Sequence, residues 1–153
     1  MVLSDSLPYD AHTFHLITSR HPVTPQWSEI HRVLRPGGEY LGQHVGPASA
    51  FDLIELFLGP LPRERRLRDP AIEIANAEAA GLEIVDLRTA ECAMEFYDVG
   101  AIVWILRKCV WWVPDFSVEK YRSVLLDLDA QMRSGSPVTA TSTRHLIIAR
   151  KLS

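Results

Sequence analysis

Short apolar runs alternate along this chain with amphipathic segments, and this alternation most constrains the fold that the chain can adopt. The apolar runs have the length of buried strands and lie at residues 14–19, 39–45, 82–87 and 144–151. Alternating apolar and polar residues at 92–97 predict a further strand or extended segment. Strands that alternate with helices form mostly parallel sheets covered on both faces, so the sequence predicts a single α/β domain.

Residues that favour helix ends mark the segments between these strands. Thr24 precedes Pro25 and Asp69 precedes Pro70, and each pair combines an N-cap with a proline at the first helical position. Gly81 is predicted to close the helix that begins at Pro70. The other predicted N-caps, each with its helix, are Ser49 for 50–58, Asp98 for 99–108 and Ser117 for 118–133.

The glycine doublet Gly37-Gly38 follows a predicted helix and precedes a predicted strand. A phosphate-binding loop has the opposite order, because it leaves a strand and opens a helix whose N–H groups face the anion. We therefore interpret the doublet as a helix stop and a turn. No Gly-x-Gly pattern between a strand and a helix occurs in the sequence.

Polar side chains follow two of the predicted strands. Ser19, Arg20 and His21 end the first strand, and Gln43 and His44 end the second. Ligands of α/β sheets bind beyond the carboxyl ends of the strands. These five residues are therefore the first candidates for a ligand site.

Composition and spacing disfavour several classes of protein. The net charge of −3 disfavours a sequence-independent grip on nucleic acid. Two cysteines, Cys92 and Cys109, cannot build a disulfide framework, which favours a cytoplasmic protein. The longest apolar run, 99–113, is short and carries two basic residues, so no membrane contact is expected. His12 and His15 have a ligand-like spacing without partner ligands, so no metal site is predicted.

Several ordered segments match the motifs of one enzyme family. Residues 7–9 and 14–21 (LPY and FHLITSRH) resemble its LPF and FDLVTSRH motifs, and residues 27–38 (WSEIHRVLRPGG) resemble W-x-E-x-x-R-V-L-R-P-G-G. Residues 43–47 (QHVGP) resemble the QQVGP motif of one subgroup, which segments 96–101 and 113–116 also fit. The chain thus resembles the C-terminal half of a class I S-adenosylmethionine-dependent methyltransferase of the type 11 group.

The resemblance implies strands four to seven of a seven-stranded Rossmann-like sheet. The last strand should be antiparallel and inserted, which gives the spatial order 14–19, 39–45, 144–151, 82–87. In the family, a glycine-rich loop and an acidic residue on earlier strands hold the cofactor, and His15 and Leu3 stand where the family has aspartates. We therefore expect this chain by itself to bind S-adenosylmethionine weakly or not at all.

The resemblance also assigns roles to the polar strand ends, because the loop after the first strand faces the reacting methyl group in this family. His21 is then the candidate catalytic base, and Arg20 would hold an anionic acceptor group. Ser19, Gln43 and His44 are candidate substrate-binding residues. The alternative is that the residues after the first strand only fix the loop.

Residues 91–135 are predicted to form an inserted segment that lines or covers the acceptor pocket. Trp104 and Trp111 are its candidate substrate-binding residues, since large aromatic side chains favour an apolar acceptor. The segment is equally consistent with a hydrophobic helix packed on the sheet.

The resemblance therefore implies a methyltransferase for a small-molecule acceptor, present here as a truncated chain that is inactive by itself. Two alternatives remain open: a non-catalytic interaction or dimerisation module, and one half of a two-chain enzyme. A nicotinamide oxidoreductase is less favoured, because its glycine-rich fingerprint would also be missing. The apolar strand 14–19 has no predicted neighbour on its far side, which favours a homodimer or a partner chain at that edge.

Overall fold

The computed structural model describes residues 6–62 and 68–152, so Leu3 lies outside the described residues. The elements follow in an order that alternates strands and helices, as predicted. They are β1 (Phe14–Arg20), α1 (Trp27–Val33), β2 (Leu34–Val45), α2 (Phe51–Leu58), α3 (Pro70–Ala79), β3 (Leu82–Phe96), α4 (Val99–Lys108), α5 (Arg122–Arg133) and β4 (Val138–Lys151).

The four strands form one sheet in the spatial order β1-β2-β4-β3. β1 and β2 are parallel, and β4 runs antiparallel to β2, with His44 opposite His145. The predicted order, with the last strand inserted beside the second, is confirmed. β3 is longer than predicted, because the segment at 92–97 continues the strand that begins at Leu82.

The described residues divide into two compact units. The sheet unit comprises residues 6–47, 68–90 and 143–152, and the helical unit comprises residues 48–62 and 91–142. None of the helices in the described parts of the chain has the length and apolar composition that a bilayer-spanning helix needs.

In the sheet unit, α1 and α3 pack on one face of the sheet. Trp27 and Ile30 of α1 and Ala77 of α3 share a buried cluster with the strand residues of that face. The strand residues are Leu34, Tyr40, Leu82, Ile147 and Ala149. Residues that alternate with these point to the opposite face, where Leu16 of β1 is 55% exposed.

The helical unit has its own apolar core, to which each of its helices contributes one buried stripe. The stripe residues are Leu53, Ile54 and Phe57 of α2, Ile102 and Leu106 of α4, and Leu125 and Leu128 of α5. Their spacing of three or four residues is that of a helix with one buried side. Residues 91–135, predicted as an insertion, belong to this unit.

Two of the predicted helix caps are present as hydrogen bonds. The Asp69 carboxylate accepts from the backbone N–H of Ala71 at 2.9 Å, and the Asp98 carboxylate accepts from Ala101 N–H at 3.1 Å. Gly81 follows α3 with φ of +88°, as expected for a C-terminal cap.

Two other predicted caps are wrong, and one helix begins later than predicted. α1 begins at Trp27 after Gln26, rather than at Pro25 after Thr24, and no side chain caps it. α2 begins at Phe51, one residue later than predicted, and Ala50 before it has a left-handed conformation. Ser117 Oγ accepts from Lys120 N–H and closes a separate turn, because α5 begins only at Arg122.

The glycine doublet lies inside β2 rather than before it. Gly37 has φ of +74°, which favours glycine. A Cβ on Gly38 would lie 2.9 Å from Arg35 O and 3.1 Å from the carbonyl oxygens of Phe14 and His15. The doublet therefore combines a left-handed residue with close contact to β1, where the strand register shifts between Phe14 and Leu16.

Candidate functional site

A cluster of polar side chains is buried on the helix-covered face of the sheet unit. Tyr40 and His44 share one face of β2, since they are four residues apart on a strand. His145 of β4 is paired with His44 and lies on the same face. Glu73 reaches the two histidines from α3, which covers this face. The cluster thus joins three elements that are distant in sequence.

Glu73 is the centre of the cluster. Its Oε2 accepts hydrogen bonds from His44 Nδ1 and from His145 Nε2, the latter at 3.0 Å. The side chains of His44 and His145 are 2% and 0% exposed, whereas that of Glu73 keeps 17% exposure. The carboxylate therefore connects the two buried imidazoles to the surface of the unit.

A second set of contacts extends from His44 to the end of β1. Tyr40 Oη lies 2.8 Å from His44 Nε2, and Ser19 Oγ lies 2.7 Å from Tyr40 Oη. When Nδ1 of a neutral His44 donates to Glu73, Nε2 accepts from the Tyr40 hydroxyl. One line of hydrogen bonds thus runs from Ser19, at the carboxyl end of β1, to the Glu73 carboxylate.

Gly42 makes the contact between Tyr40 and His44 possible. It lies between them on the same face of β2, and its missing side chain leaves the space through which the two side chains meet. A Cβ at this position would lie 2.4 Å from His44 Nε2 and 2.5 Å from Tyr40 Oη.

The cluster keeps Glu73 ionised. Burial raises the pKa of this carboxyl, but the hydrogen bonds from His145 and His44 outweigh that effect and lower the pKa to about 2. Burial raises the pKa of Tyr40, so its hydroxyl stays protonated at neutral pH. At neutral pH the cluster therefore contains one negatively charged carboxylate beside two imidazole rings.

The sequence-predicted residues divide between the two faces of the sheet. Ser19 and His44 are brought together through Tyr40. Gln43 is exposed on the opposite face of β2, where it pairs in register with the exposed Arg20. Of the two residues that end β2, His44 is therefore the one in the buried cluster.

His21 follows β1 as an exposed residue with φ of +53°. Its backbone N–H donates to Gln43 O at 2.8 Å, which continues the pairing of β1 with β2. Partial burial lowers the pKa of His21, and the positive charges of Arg144 and Arg20 lower it further. The ring is therefore neutral at pH 7 and has a lone pair that can accept a proton.

Trp104 and Trp111 lie in the helical unit, where they are 60% and 64% exposed. Lys108 Nζ lies 5.9 Å from the centroid of the Trp104 ring. Both indole side chains are thus exposed, and the Trp104 ring is within contact distance of a lysine ammonium.

Sequence reasoning missed Tyr40, Glu73 and His145. The alternation Tyr40-Gly42-His44 on a predicted strand was a usable signal, because it puts two polar rings on one face with space between them. Glu73 and His145 carried no local signal.

The sequence matches no protein-family profile, and no curated protein is similar to it. Solved structures do share its fold. A protein of Bacillus halodurans C-125 described as a candidate methyltransferase superposes with a TM-score of 0.64 at 18% identity, over 97% of this chain and 69% of that one. The YcgJ protein of Bacillus subtilis gives 0.59 at 18% identity, over 97% and 68%.

These likenesses show that the chain has the mixed α/β fold of class I methyltransferases. The cyclase SpnF has a similar structure, with a TM-score of 0.52 at 18% identity over 97% of this chain and 53% of that one. Because proteins of different activities share this fold, function has to be argued from the site.

Proposed function

We propose that this chain is the acceptor-side part of an S-adenosylmethionine-dependent methyltransferase that acts on a small molecule. The observation that carries the proposal is the insertion of antiparallel β4 between β2 and β3, in a fold shared with a candidate methyltransferase over nearly the whole chain. The motif resemblance of residues 14–21 and 27–38 to type 11 methyltransferases supports the same assignment.

The position of β1 in the sheet bears on how much of the cofactor site the described residues can supply. In the family that the chain resembles, the cofactor contacts a glycine-rich loop and an acidic residue on strands that would precede β1. β1 lies at the end of the described sheet, with no strand paired to its outer edge among the described residues. We therefore propose that the described residues supply the acceptor side of the site and do not hold the cofactor by themselves.

The proposed role of the polar strand ends is to position the acceptor and take its proton. His21 stays neutral at pH 7 and follows the carboxyl end of β1, so it can accept a proton from an acceptor hydroxyl or amine. The exposed guanidinium of Arg20 can bind an anionic group of the acceptor. Ser19, held by Tyr40, offers a fixed hydroxyl for orientation, and His44 supports it through the same contacts.

Each unit carries further residues that we propose as acceptor-binding candidates, and each set is considered by itself. Gln43 is exposed beside Arg20 in the sheet register, where its amide can hydrogen-bond a polar acceptor. Within the insertion at 91–135, Trp104 and Trp111 offer exposed aromatic surface for an apolar acceptor group.

Binding of S-adenosylmethionine separates the acceptor part from a complete enzyme. We expect no low-micromolar binding when calorimetry is carried out on the purified 153-residue chain. Two further preparations are tested by ultraviolet crosslinking with radiolabelled S-adenosylmethionine. One is a longer protein expressed from the gene together with the coding sequence that flanks it, and the other is any complex that co-purifies with the chain. We expect at least one of them to be labelled. Low-micromolar binding by the 153-residue chain alone would contradict the proposal that this chain supplies only the acceptor side. Lack of labelling in every preparation would contradict the methyltransferase assignment.

A second proposal is that the chain is an interaction or dimerisation module, or one half of a two-chain enzyme. The position of β1 at the end of the described sheet supports it, together with the 55% exposure of Leu16 on that strand. A self-associating chain that never binds the cofactor would favour the module over the enzyme half.

A further inference from the structure

We propose that His44, Glu73 and His145 bind one divalent transition-metal ion, with zinc as the first candidate. This inference goes beyond methyl transfer and does not rest on it. It also differs from the sequence analysis, which predicted no metal site because His12 and His15 lacked partner ligands. Those two histidines lie outside this cluster.

The three side chains already converge as metal ligands do. One ligand atom from each of the three residues lies within 4.8 Å of the others. Ligand atoms around a tetrahedral zinc ion are roughly 3.4 Å apart, because zinc–nitrogen and zinc–oxygen bonds are about 2.1 Å long. Small rotations of these side chains would therefore bring them to coordination distances.

The chemistry of the three ligand side chains favours a metal ion of intermediate softness, such as zinc. Two imidazoles and one carboxylate are a common set for zinc, ferrous iron and cobalt, whereas calcium and magnesium prefer oxygen ligands only. The Glu73 carboxylate supplies one negative charge toward the dication.

The surroundings of His44 have the features of an outer ligand shell. A histidine that binds metal through one ring nitrogen commonly uses the other in a hydrogen bond that fixes the ring. Nε2 of His44 makes this bond with Tyr40, which is in turn held by Ser19. The Trp27 ring lies 5.2 Å from that of Tyr40 and 6.1 Å from that of His44, so an apolar wall closes this side.

The backbone also supports a fixed site. His44 and His145 are direct partners in the antiparallel ladder between β2 and β4, so their separation is set by strand pairing. Glu73 comes from α3, which packs on the same face. Its partial exposure provides a route by which an ion and a water ligand can reach the cluster.

The buried ring of His145 makes its hydrogen bond through Nε2, which lies 3.0 Å from Glu73 Oε2. Coordination of an ion by Nε2 would take the place of this bond and would offset part of the cost of burying the imidazole.

Cobalt titration of the chelator-treated 153-residue chain tests the site. We expect one Co²⁺ per chain, with visible absorption bands of a four- or five-coordinate ion, and displacement of Co²⁺ by Zn²⁺. Glu73→Gln keeps the size of the side chain but removes its charge, and we expect it to weaken binding at least 100-fold, as should His145→Gln. His15→Gln is the matched control; His15 Nε2 lies 3.2 Å from Arg35 Nη1, outside the cluster, so this variant should bind like the wild type.

Circular dichroism shows whether each variant is folded. If the cluster variants do not fold, X-ray absorption of the zinc-loaded wild-type chain replaces them and should show two imidazole ligands with oxygen ligands. A folded wild-type chain that binds neither ion would overturn the proposal, as would a zinc environment without two imidazoles. Unchanged binding by folded Glu73→Gln and His145→Gln would also overturn it. Because metal binding is measured without cofactor or acceptor, its failure is distinct from a failure of the methyltransferase assignment.

Discussion

At the residue scale, the most informative position is one without a side chain. Gly42 lies between Tyr40 and His44 on β2, and their hydrogen bond occupies the space that any larger residue would fill. Neither neighbour can move freely, because Tyr40 is buried against Trp27 and His44 is held by Glu73. The geometry of the cluster thus depends on a residue that contributes no functional group.

We predict that Gly42→Ala separates Tyr40 from His44 and lowers the free energy of unfolding by about 1–3 kcal/mol, the usual cost of overpacking a core. Tyr40→Phe removes the hydroxyl without adding volume and should cost about 1 kcal/mol. Urea unfolding measures both. The added methyl group conflicts partly with the Tyr40 hydroxyl, so Gly42→Ala should cost less in the Tyr40→Phe background. Additive effects, or a Gly42→Ala variant as stable as the wild type, would contradict the assigned packing.

At the scale of elements, the end of α1 is tied to β4 by one buried cation. Lys151 is 7% exposed, and its Nζ donates to His31 O at 2.7 Å and to Leu34 O at 3.0 Å. These carbonyls lie at the end of α1, where a positive charge is favourable. Burial lowers the pKa of Lys151, so the hydrogen bonds have to offset the cost of removing the ammonium from water.

We expect Lys151→Met to destabilise the sheet unit by about 1–3 kcal/mol, because it leaves two carbonyl groups without their charged donor. Arg150→Met is the matched control. Arg150 is the adjacent residue, and its ion pair with Glu39 is 44% and 40% exposed on the two partners, so its loss should change the stability little. Denaturant midpoints of the two variants provide the comparison. Equal losses for both would show that the Lys151 contacts do not stabilise the fold.

At the scale of the whole molecule, the open edge of the sheet is the main liability. β1 has a paired strand on one side only within the described residues, and it carries no lysine or proline that would discourage further pairing. Leu16, on the face of β1 that α1 and α3 do not cover, is also 55% exposed. An edge of this kind favours association with a second strand, from another copy or from a partner chain.

We predict that the purified 153-residue chain self-associates at tens of micromolar, and that Leu16→Lys reduces this association because charge on an edge strand opposes pairing. Leu56→Lys is the control, since Leu56 is 47% exposed but lies on α2. Sedimentation velocity distinguishes the three proteins. A monodisperse wild-type monomer that unfolds cooperatively above roughly 65 °C, beyond the usual range for mesophilic domains, would refute the edge argument.

Local interactions account for what the sequence could predict about this fold. The Asp69 and Asp98 caps formed as expected, because each carboxylate bonds a backbone N–H two or three residues away. The predicted cap at Thr24 did not form, because α1 begins only at Trp27. A cap contributes about 1 kcal/mol, whereas burying a large apolar side chain contributes about 1.5–3 kcal/mol, so the packing of Trp27 outweighs cap preference.

The sequence by itself determined the alternation of strands and helices, the polar ends of β1 and β2 and, through its motifs, the insertion of β4 in the sheet. Only the tertiary structure decided which of those polar residues belong together. His44 acquires its partners because strand pairing brings His145 opposite it and because α3 carries Glu73 across the same face. Those contacts join residues far apart along the chain, and hydrophobic packing of the helices on the sheet, rather than any local spacing, sets their distances.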